Sequence, residues 1–103
     1  MANYIKIATV HDFSSDEIRG YRIKDRAIAV CRIKDEFFAF DEICSHEYAS
    51  LTEGWLDEYT IECPMHGAKF DVRTGKPLTL PAIEAIVTYE IKIEGDTIFV
   101  KLG

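Results

Sequence analysis

The chain has 103 residues, which is the length of a single domain, and its 48% hydrophobic and 29% charged residues exclude a disordered chain. Twelve Lys and Arg against eighteen Asp and Glu give a net charge of −6, and no basic cluster supports nucleic-acid binding. No apolar run is long enough to span a membrane, and the N-terminus lacks the features of a secretory signal. We therefore expect a soluble protein in the cytoplasm, with no membrane or nucleic-acid partner.

The first part of the chain predicts short strands separated by turns. A strand is predicted at Tyr4–Ala8, and a meander is predicted from three segments, at Tyr21–Lys24, Ala27–Ile33 and Phe37–Phe40. One helical turn is plausible at Ser14–Ile18, where N-cap and acidic first-turn residues stand, but Gly20 ends it before a helix can develop.

The remainder of the chain divides into a loop-rich segment and a final hairpin. Between about residues 41 and 81 the sequence concentrates two cysteines, two histidines, three glycines and all three prolines. Strand signal survives there only at Tyr59–Glu62 and Lys69–Val72. The segments Val87–Ile93 and Thr97–Leu102 then predict a hairpin. The expected fold is all-β, a small antiparallel sandwich or barrel with an inserted loop-rich subdomain.

Metal-ligating residue types stand in two short motifs within the loop-rich segment. Cys44 and His46 form Cys-x-His, and after sixteen further residues Cys63 and His66 form Cys-x-x-His. Zinc accepts two thiolates and two imidazoles, but zinc fingers usually group the cysteines in one half and the histidines in the other. Mixed halves suit a two-metal cluster with its cysteines and histidines on different metals. A zinc-stabilised interaction module stays open as the alternative.

These residues resemble the Rieske-type [2Fe–2S] motif, and the flanks Ala49–Gly54 and Phe70–Gly75 agree with it. The chain is similar to the small Rieske ferredoxins of bacterial aromatic-ring-hydroxylating dioxygenase systems. The resemblance implies that residues 1–103 form one Rieske domain with a cluster-binding subdomain at about 41–81. It also implies that Cys44 and Cys63 bind one iron, while His46 and His66 bind the other.

The same resemblance implies a one-electron carrier that does no substrate chemistry of its own. Its partners would be a flavin-dependent NAD(P)H reductase and the Rieske centre of a terminal oxygenase. A terminal oxygenase also needs a mononuclear iron site with two histidines, and only His11 remains after the cluster ligands. A Rieske subunit of another redox complex, such as the small subunit of a nitrite reductase, is the second interpretation.

Several further residues have simpler interpretations. Cys31 lies in an apolar strand and is expected to be a buried core thiol, and His11 is expected at the surface. Glu47 stands where the dioxygenase ferredoxins commonly have glycine, so a positive φ there would be strained. The acidic residues Glu53, Asp57 and Glu58 are expected in a solvated loop. Four apolar or aromatic residues are expected to pack near the cluster: Tyr48, Met65, Leu80 and Pro81.

Overall fold

The computed structural model describes residues 3–44, 49–65, 67–79 and 84–102. Within those ranges the chain forms ten β-strands and two 3₁₀ turns, and the expectation of an all-β fold is confirmed. The strands are β1 Tyr4–Thr9, β2 Ile18–Ile23, β3 Arg26–Ile33, β4 Glu36–Asp41, β5 Trp55–Asp57, β6 Thr60–Glu62, β7 Lys69–Asp71, β8 Thr88–Tyr89, β9 Ile91–Glu94 and β10 Thr97–Lys101. The 3₁₀ turns lie at Val10–Asp12 and Leu51–Glu53.

The strands form three antiparallel sheets. The first has the order β1-β10-β9, the second β2-β3-β4-β8, and the third, within the loop-rich segment, β5-β6-β7. The predicted meander is the β2-β3-β4 part of the second sheet, with Gly20 opposite Ala29 inside it. No helix in the described part of the chain is long and apolar enough to cross a membrane.

The four-stranded sheet lies between two hydrophobic cores because alternate residues of β3 face opposite sides. Ala29 and Cys31 join the core that contains both motif cysteines, whereas Ile28 and Val30 join the core beneath β1 and β10. All four are fully buried, which explains the continuous apolar run in this strand. The sheet therefore supports the cysteine-bearing loops on one face and the terminal strands on the other.

The predicted strand at Val87–Ile93 is wrong as a single element, because it breaks at Glu90. Thr88 and Tyr89 pair with β4, while the residues from Ile91 onward pair with β10 in a different sheet. At the break, the carbonyl of Glu90 accepts the backbone N–H of Lys101 at 2.9 Å, and its carboxylate accepts the hydroxyl of Tyr4. The segment thus changes sheets, while the predicted hairpin around Gly95 is present.

The sequence predicts a turn at Ser14–Ile18 that does not develop into a helix, and the structure has such a turn, in which the N–H of Glu17 donates to the carbonyl of Ser14 at 3.2 Å. The sequence does not predict the two described 3₁₀ turns, which lie elsewhere. One is stabilised at its start by Ser50, whose hydroxyl accepts the backbone N–H of Thr52 at 3.2 Å. Strand β5 was not predicted either, because Trp55–Asp57 is short and becomes a strand through its pairing with β6.

Candidate metal centre

The first cysteine loop begins just after β4 and is closed by backbone pairing at its base. Ile43 and Ser50 form an isolated antiparallel bridge, and the N–H of Cys44 donates to the carbonyl of Ala49 at 2.9 Å. These contacts bring the two limbs of the loop together on either side of residues 45–48. Cys44 is consequently held at a fixed position beside the sheet.

The second cysteine loop is closed in the same way between β6 and β7. The N–H of Cys63 donates to the carbonyl of Ala68 at 2.7 Å, again to the residue five positions later in the chain. Gly67 has φ of +71°, a left-handed conformation that favours glycine over residues with a Cβ. The two motif cysteines are therefore each held by the same kind of backbone hydrogen bond, to the carbonyl five residues later.

Both motif cysteines are buried in one hydrophobic core. Cys44 is 4% exposed and Cys63 is fully buried, and their common core includes Leu51, Ile61 and Phe70. No disulfide joins them to each other or to Cys31. The N–H of Met65 donates to the Sγ of Cys63 at 3.4 Å, so a backbone donor is directed at this sulfur. Two thiols in a water-excluded setting suit thiolate ligation of iron.

The two predicted histidine ligands, His46 and His66, lie outside the described residues. The same applies to Glu47, so its expected strain has no structural test, and to three of the residues expected to pack near the cluster: Tyr48, Leu80 and Pro81. Met65, the fourth, is 47% exposed. The described structure accordingly places the cysteine half of the predicted ligand set.

A close contact between backbones connects the two cysteine loops. Gly54 follows the 3₁₀ turn after the first loop, and a Cβ built on it would lie 1.9 Å from the carbonyl oxygen of Glu62. Glu62 directly precedes Cys63. Only glycine permits this approach, so Gly54 sets how closely the return limb of the first loop packs against the second.

An exposed row of side chains crosses the three-stranded sheet beside the second loop. The register aligns Trp55 with Glu62 and Glu62 with Lys69, and the N–H of Leu78 donates to the carbonyl of Lys69 at 2.8 Å. Trp55 is 59% exposed and Leu78 is 50% exposed, while Glu62 and Lys69 form an ion pair at 4.0 Å between them. The ion pair thus separates Trp55 from Leu78, and we call these two exposed side chains together with Met65 of the second loop the apolar patch.

Acidic side chains stand near the same sheet. Glu53, Asp57 and Glu58 are exposed, as expected, but the expectation of a loop is wrong for Glu53, which ends a 3₁₀ turn, and for Asp57, which ends β5. Asp71 is instead held by Arg73, whose guanidinium donates to its carboxylate at 2.9 Å and 3.1 Å and lowers its pKa. Two of these acidic residues, Asp57 and Asp71, lie on the strands of the sheet that carries Trp55.

The remaining cysteine and histidine take no part in the two loops. Cys31 is fully buried in the middle of β3, and burial raises the pKa of its thiol to about 12. His11 is exposed and its Nε2 lies 3.1 Å from the carboxylate of Asp96. Both observations agree with the expectation of a core thiol and a surface histidine.

The fold and the site together define a small antiparallel β domain that carries two matching cysteine loops. The sequence model of the Rieske [2Fe–2S] domain matches residues 3–90, and the chain belongs to that family. The cofactor is accordingly a Rieske-type [2Fe–2S] cluster. The two buried cysteines and the mixed donor set of the motifs fit this group, and the zinc alternative loses its support.

Similar proteins are ferredoxins of aromatic dioxygenase systems. The biphenyl 2,3-dioxygenase ferredoxin component of Rhodococcus jostii (strain RHA1) is 40% identical over 97 residues, covering 94% of this chain and 91% of that protein. The ferredoxin of carbazole 1,9a-dioxygenase from Nocardioides aromaticivorans IC177 superposes with a TM-score of 0.93 at 29% identity, over 97% and 98% of the two chains.

A further solved structure is the complex of reduced oxygenase and oxidized ferredoxin in carbazole 1,9a-dioxygenase. The matched chain there has a TM-score of 0.90 and 34% identity, and the match covers 96% of this chain and 93% of that chain. This chain therefore spans nearly the whole length of the proteins that it resembles.

Proposed function

We propose that this protein is a one-electron carrier of an aromatic-ring dioxygenase system. It takes electrons from a flavin-dependent NAD(P)H reductase and delivers them to the Rieske centre of a terminal oxygenase. The observation that carries this conclusion is the pair of matching cysteine loops on a domain of the Rieske family. The bound cluster supplies reversible one-electron chemistry, and the chain holds it in place and excludes water from its cysteine side.

The proposed ligands are Cys44 and Cys63 for one iron and His46 and His66 for the other. The burial of both cysteines in one core supports the first half of the assignment. The spacing of the two histidines within the motifs supports the second half. Neutral imidazoles replace two thiolates, so the oxidised site carries less negative charge and accepts an electron more readily than an all-cysteine cluster.

We further propose that residues 1–103 act as a single domain, with a cluster-binding subdomain at about 41–81. Both cysteine loops and the sheet β5-β6-β7 fall inside that segment. The sheet β2-β3-β4-β8 supplies the core on which it rests, through Ala29, Cys31 and Phe40. This arrangement supports a cluster held at the cysteine loops, on the face of the base sheet that carries Ala29 and Cys31.

The apolar patch supports contact with a protein partner close to the cluster. Trp55 and Leu78 lie in the strand row next to Cys63, and Met65 lies within its loop. An exposed tryptophan is a frequent anchor of protein interfaces. The neighbouring acidic residues and the net charge of −6 favour a partner face with lysine and arginine at its rim.

The reductase is the natural source of electrons for such a carrier, because a reduced flavin can release electrons one at a time to a one-electron acceptor. Its NAD(P)H is a cytoplasmic reductant, and we propose that the carrier works in the same compartment.

Reconstitution tests this function. The purified holo-protein is added to the reductase and oxygenase of a biphenyl dioxygenase system lacking its own ferredoxin, with NADH, oxygen and biphenyl. We expect hydroxylated product only when all three proteins are present. A holo-protein that the reductase reduces, but that supports no product with biphenyl, naphthalene or carbazole oxygenases, would instead favour a subunit of another redox complex.

A further inference from the structure

Two carboxylates at opposite ends of β4 each accept a hydrogen bond from a hydroxyl of the cluster-binding subdomain. At the start of the strand, Glu36 accepts from the hydroxyl of Tyr59 at 2.5 Å. Just after its end, Glu42 accepts from the hydroxyl of Ser50 at 2.7 Å. Tyr59 stands near the turn of the β5-β6 hairpin, whereas Ser50 closes the first cysteine loop. The two bonds are alike in chemistry, but only Ser50 belongs to the backbone pairing that closes a cysteine loop.

Glu42 is connected to the loop by more than its carboxylate. Its carbonyl accepts the N–H of Leu51 at 2.7 Å, and its own N–H donates to the carbonyl of Ala27 at 3.0 Å. The hydroxyl of Ser50 also lies 2.6 Å from that of Thr52 and accepts the Thr52 N–H. Through these contacts Glu42 joins β3 of the base to the returning limb of the first loop.

The base sheet is shaped to admit the Glu42 side chain. A Cβ built on Gly20, in β2, would lie 2.5 Å from the Oε1 of Glu42. The Glu42 carboxylate therefore lies between the backbone of β2 and the hydroxyl of Ser50. Its position is restricted on one side by the sheet and on the other by a short hydrogen bond, so it has little freedom to release the loop.

We infer that Glu42 is a positioning residue for the cluster: it holds the limb at Ser50 against the limb that carries Cys44. Ser50 pairs with Ile43, the residue before Cys44, so movement of Ser50 shifts the thiolate relative to Cys63. All three cysteines of the chain are free, so the loops have no disulfide to hold them together. This inference rests on the proposed cysteine ligands.

The test uses four holo-protein variants: Glu42→Ala, Glu42→Gln, Ser50→Ala and the Glu42→Ala/Ser50→Ala double variant. Two readouts report on the cluster itself: the EPR g-values and line widths after reduction by dithionite, and the rate of cluster loss to an iron chelator. We expect Glu42→Ala and Ser50→Ala to broaden the EPR lines and shift the g-values. We also expect both to increase the rate of cluster loss about two- to tenfold, the change that corresponds to the free energy of one lost hydrogen bond. The double variant should be no worse than Ser50→Ala, because both changes remove the same contact.

Glu42→Gln is the conservative variant, since its amide oxygen still accepts the Ser50 hydroxyl, and it should retain the wild-type spectrum. Glu36→Ala is the matched control: it removes the bond to Tyr59 and should lower thermal stability without altering the g-values. The inference is overturned if Glu42→Ala keeps the wild-type spectrum and chelation rate, if Glu42→Gln behaves like Glu42→Ala, or if Glu36→Ala alters the g-values equally.

If Glu42→Ala fails to assemble a cluster, the EPR spectra and chelation rates of Ser50→Ala and Glu42→Gln test the inference instead. Altered values for Ser50→Ala with wild-type values for Glu42→Gln support it, and any other result overturns it. Failure of the proposed ligand set is distinguishable from failure of the Glu42 inference. If Cys44 is not a ligand, Cys44→Ser retains the wild-type spectrum, whatever the Glu42 variants do.

Discussion

The backbone N–H of Met65 donates to the sulfur of Cys63 across 3.4 Å. A donor directed at a ligand sulfur favours the more negative, reduced state of an iron–sulfur centre. The donor comes from the loop backbone, so side-chain changes at position 65 would leave it in place. With Cys63 as a proposed ligand, we expect the conformation of the second loop to affect the reduction potential of the cofactor as well as its binding.

The proposed ligand set predicts which substitutions abolish the cluster. Cys44→Ser, His46→Ala, Cys63→Ser and His66→Ala should each eliminate the visible absorption and the EPR signal of the purified protein, because each removes one iron ligand. Cys31→Ser is the control, since this thiol lies in β3 and should leave both spectra intact. Iron and sulfide analysis measures the result. Loss of the cluster in the Cys31 variant alone would overturn the assignment.

The Cys31 thiol should be chemically inert in the native protein. Burial raises its pKa from 9.0 to about 12, so the folded state holds the proton more tightly than the unfolded state. This contribution to stability is complete below pH 9 and is lost as the pH rises towards 12. Iodoacetamide at pH 8 should label Cys31 only after unfolding, as measured by mass spectrometry of the tryptic peptide. Rapid labelling of the native holo-protein would contradict its burial.

The strand base could be predicted from sequence because its signals are local. The turn at Gly95 joins β9 to β10, which are neighbours in the chain. The alternation in Tyr4–Ala8 predicts a strand, although its partner β10 lies at the other end of the chain. The break at Glu90 could not be predicted, because it depends on Tyr4 and Lys101, which are distant in the chain and meet it only in the folded structure.

The sequence likewise identifies some residues of the candidate site and gives no signal for others. The motifs identify Cys44 and Cys63 by residue type and spacing, and both prove to be buried in one core. The role of Glu42 has no sequence signal, since a glutamate before an isoleucine is unremarkable until Gly20 and Ser50 are brought beside it. Gly54 was recognisable as a turn glycine, but its close approach to Glu62 depends on the third sheet.

Gly54→Ala should weaken the connection between the two cysteine loops. The added Cβ would lie 1.9 Å from the carbonyl oxygen of Glu62, so the backbones must separate. We expect destabilisation of about 1–3 kcal/mol, the usual cost of overpacking, together with faster cluster loss to a chelator. Gly95→Ala is the control: nothing lies within 4 Å of its added Cβ, and its φ of +58° makes the substitution strained, whereas Gly54 has a φ of −89°.

Denaturant unfolding and the chelation rate measure both glycine variants. Gly95→Ala should lose stability through backbone strain, with wild-type cluster retention. Equal cluster retention in the two variants would contradict the role assigned to Gly54.

Trp55→Ser should slow electron transfer without altering the cluster. Truncating an aromatic anchor of an interface costs on the order of 1–2 kcal/mol, which corresponds to a second-order rate constant lower by about tenfold. Stopped-flow mixing of the reduced protein with oxidised biphenyl dioxygenase measures it. Ile93→Ser, an exposed apolar residue on a different sheet, is the control and should transfer electrons at the wild-type rate. Equal rates for the two variants would exclude the apolar patch from the contact.

The midpoint reduction potential tests the central claim of a carrier between a flavin and an oxygenase. High-potential Rieske proteins supply serine and tyrosine hydroxyls to the cluster sulfurs, and this chain has the buried Ala68 and Phe70 at those places. Donors at sulfur raise the potential, so their absence lowers it, with backbone donors such as Met65 remaining. Voltammetry of the holo-protein at pH 7 should give a value near the low end of the Rieske range of about −150 to +300 mV. A midpoint in the upper half of that range would contradict both the tuning and the dioxygenase assignment.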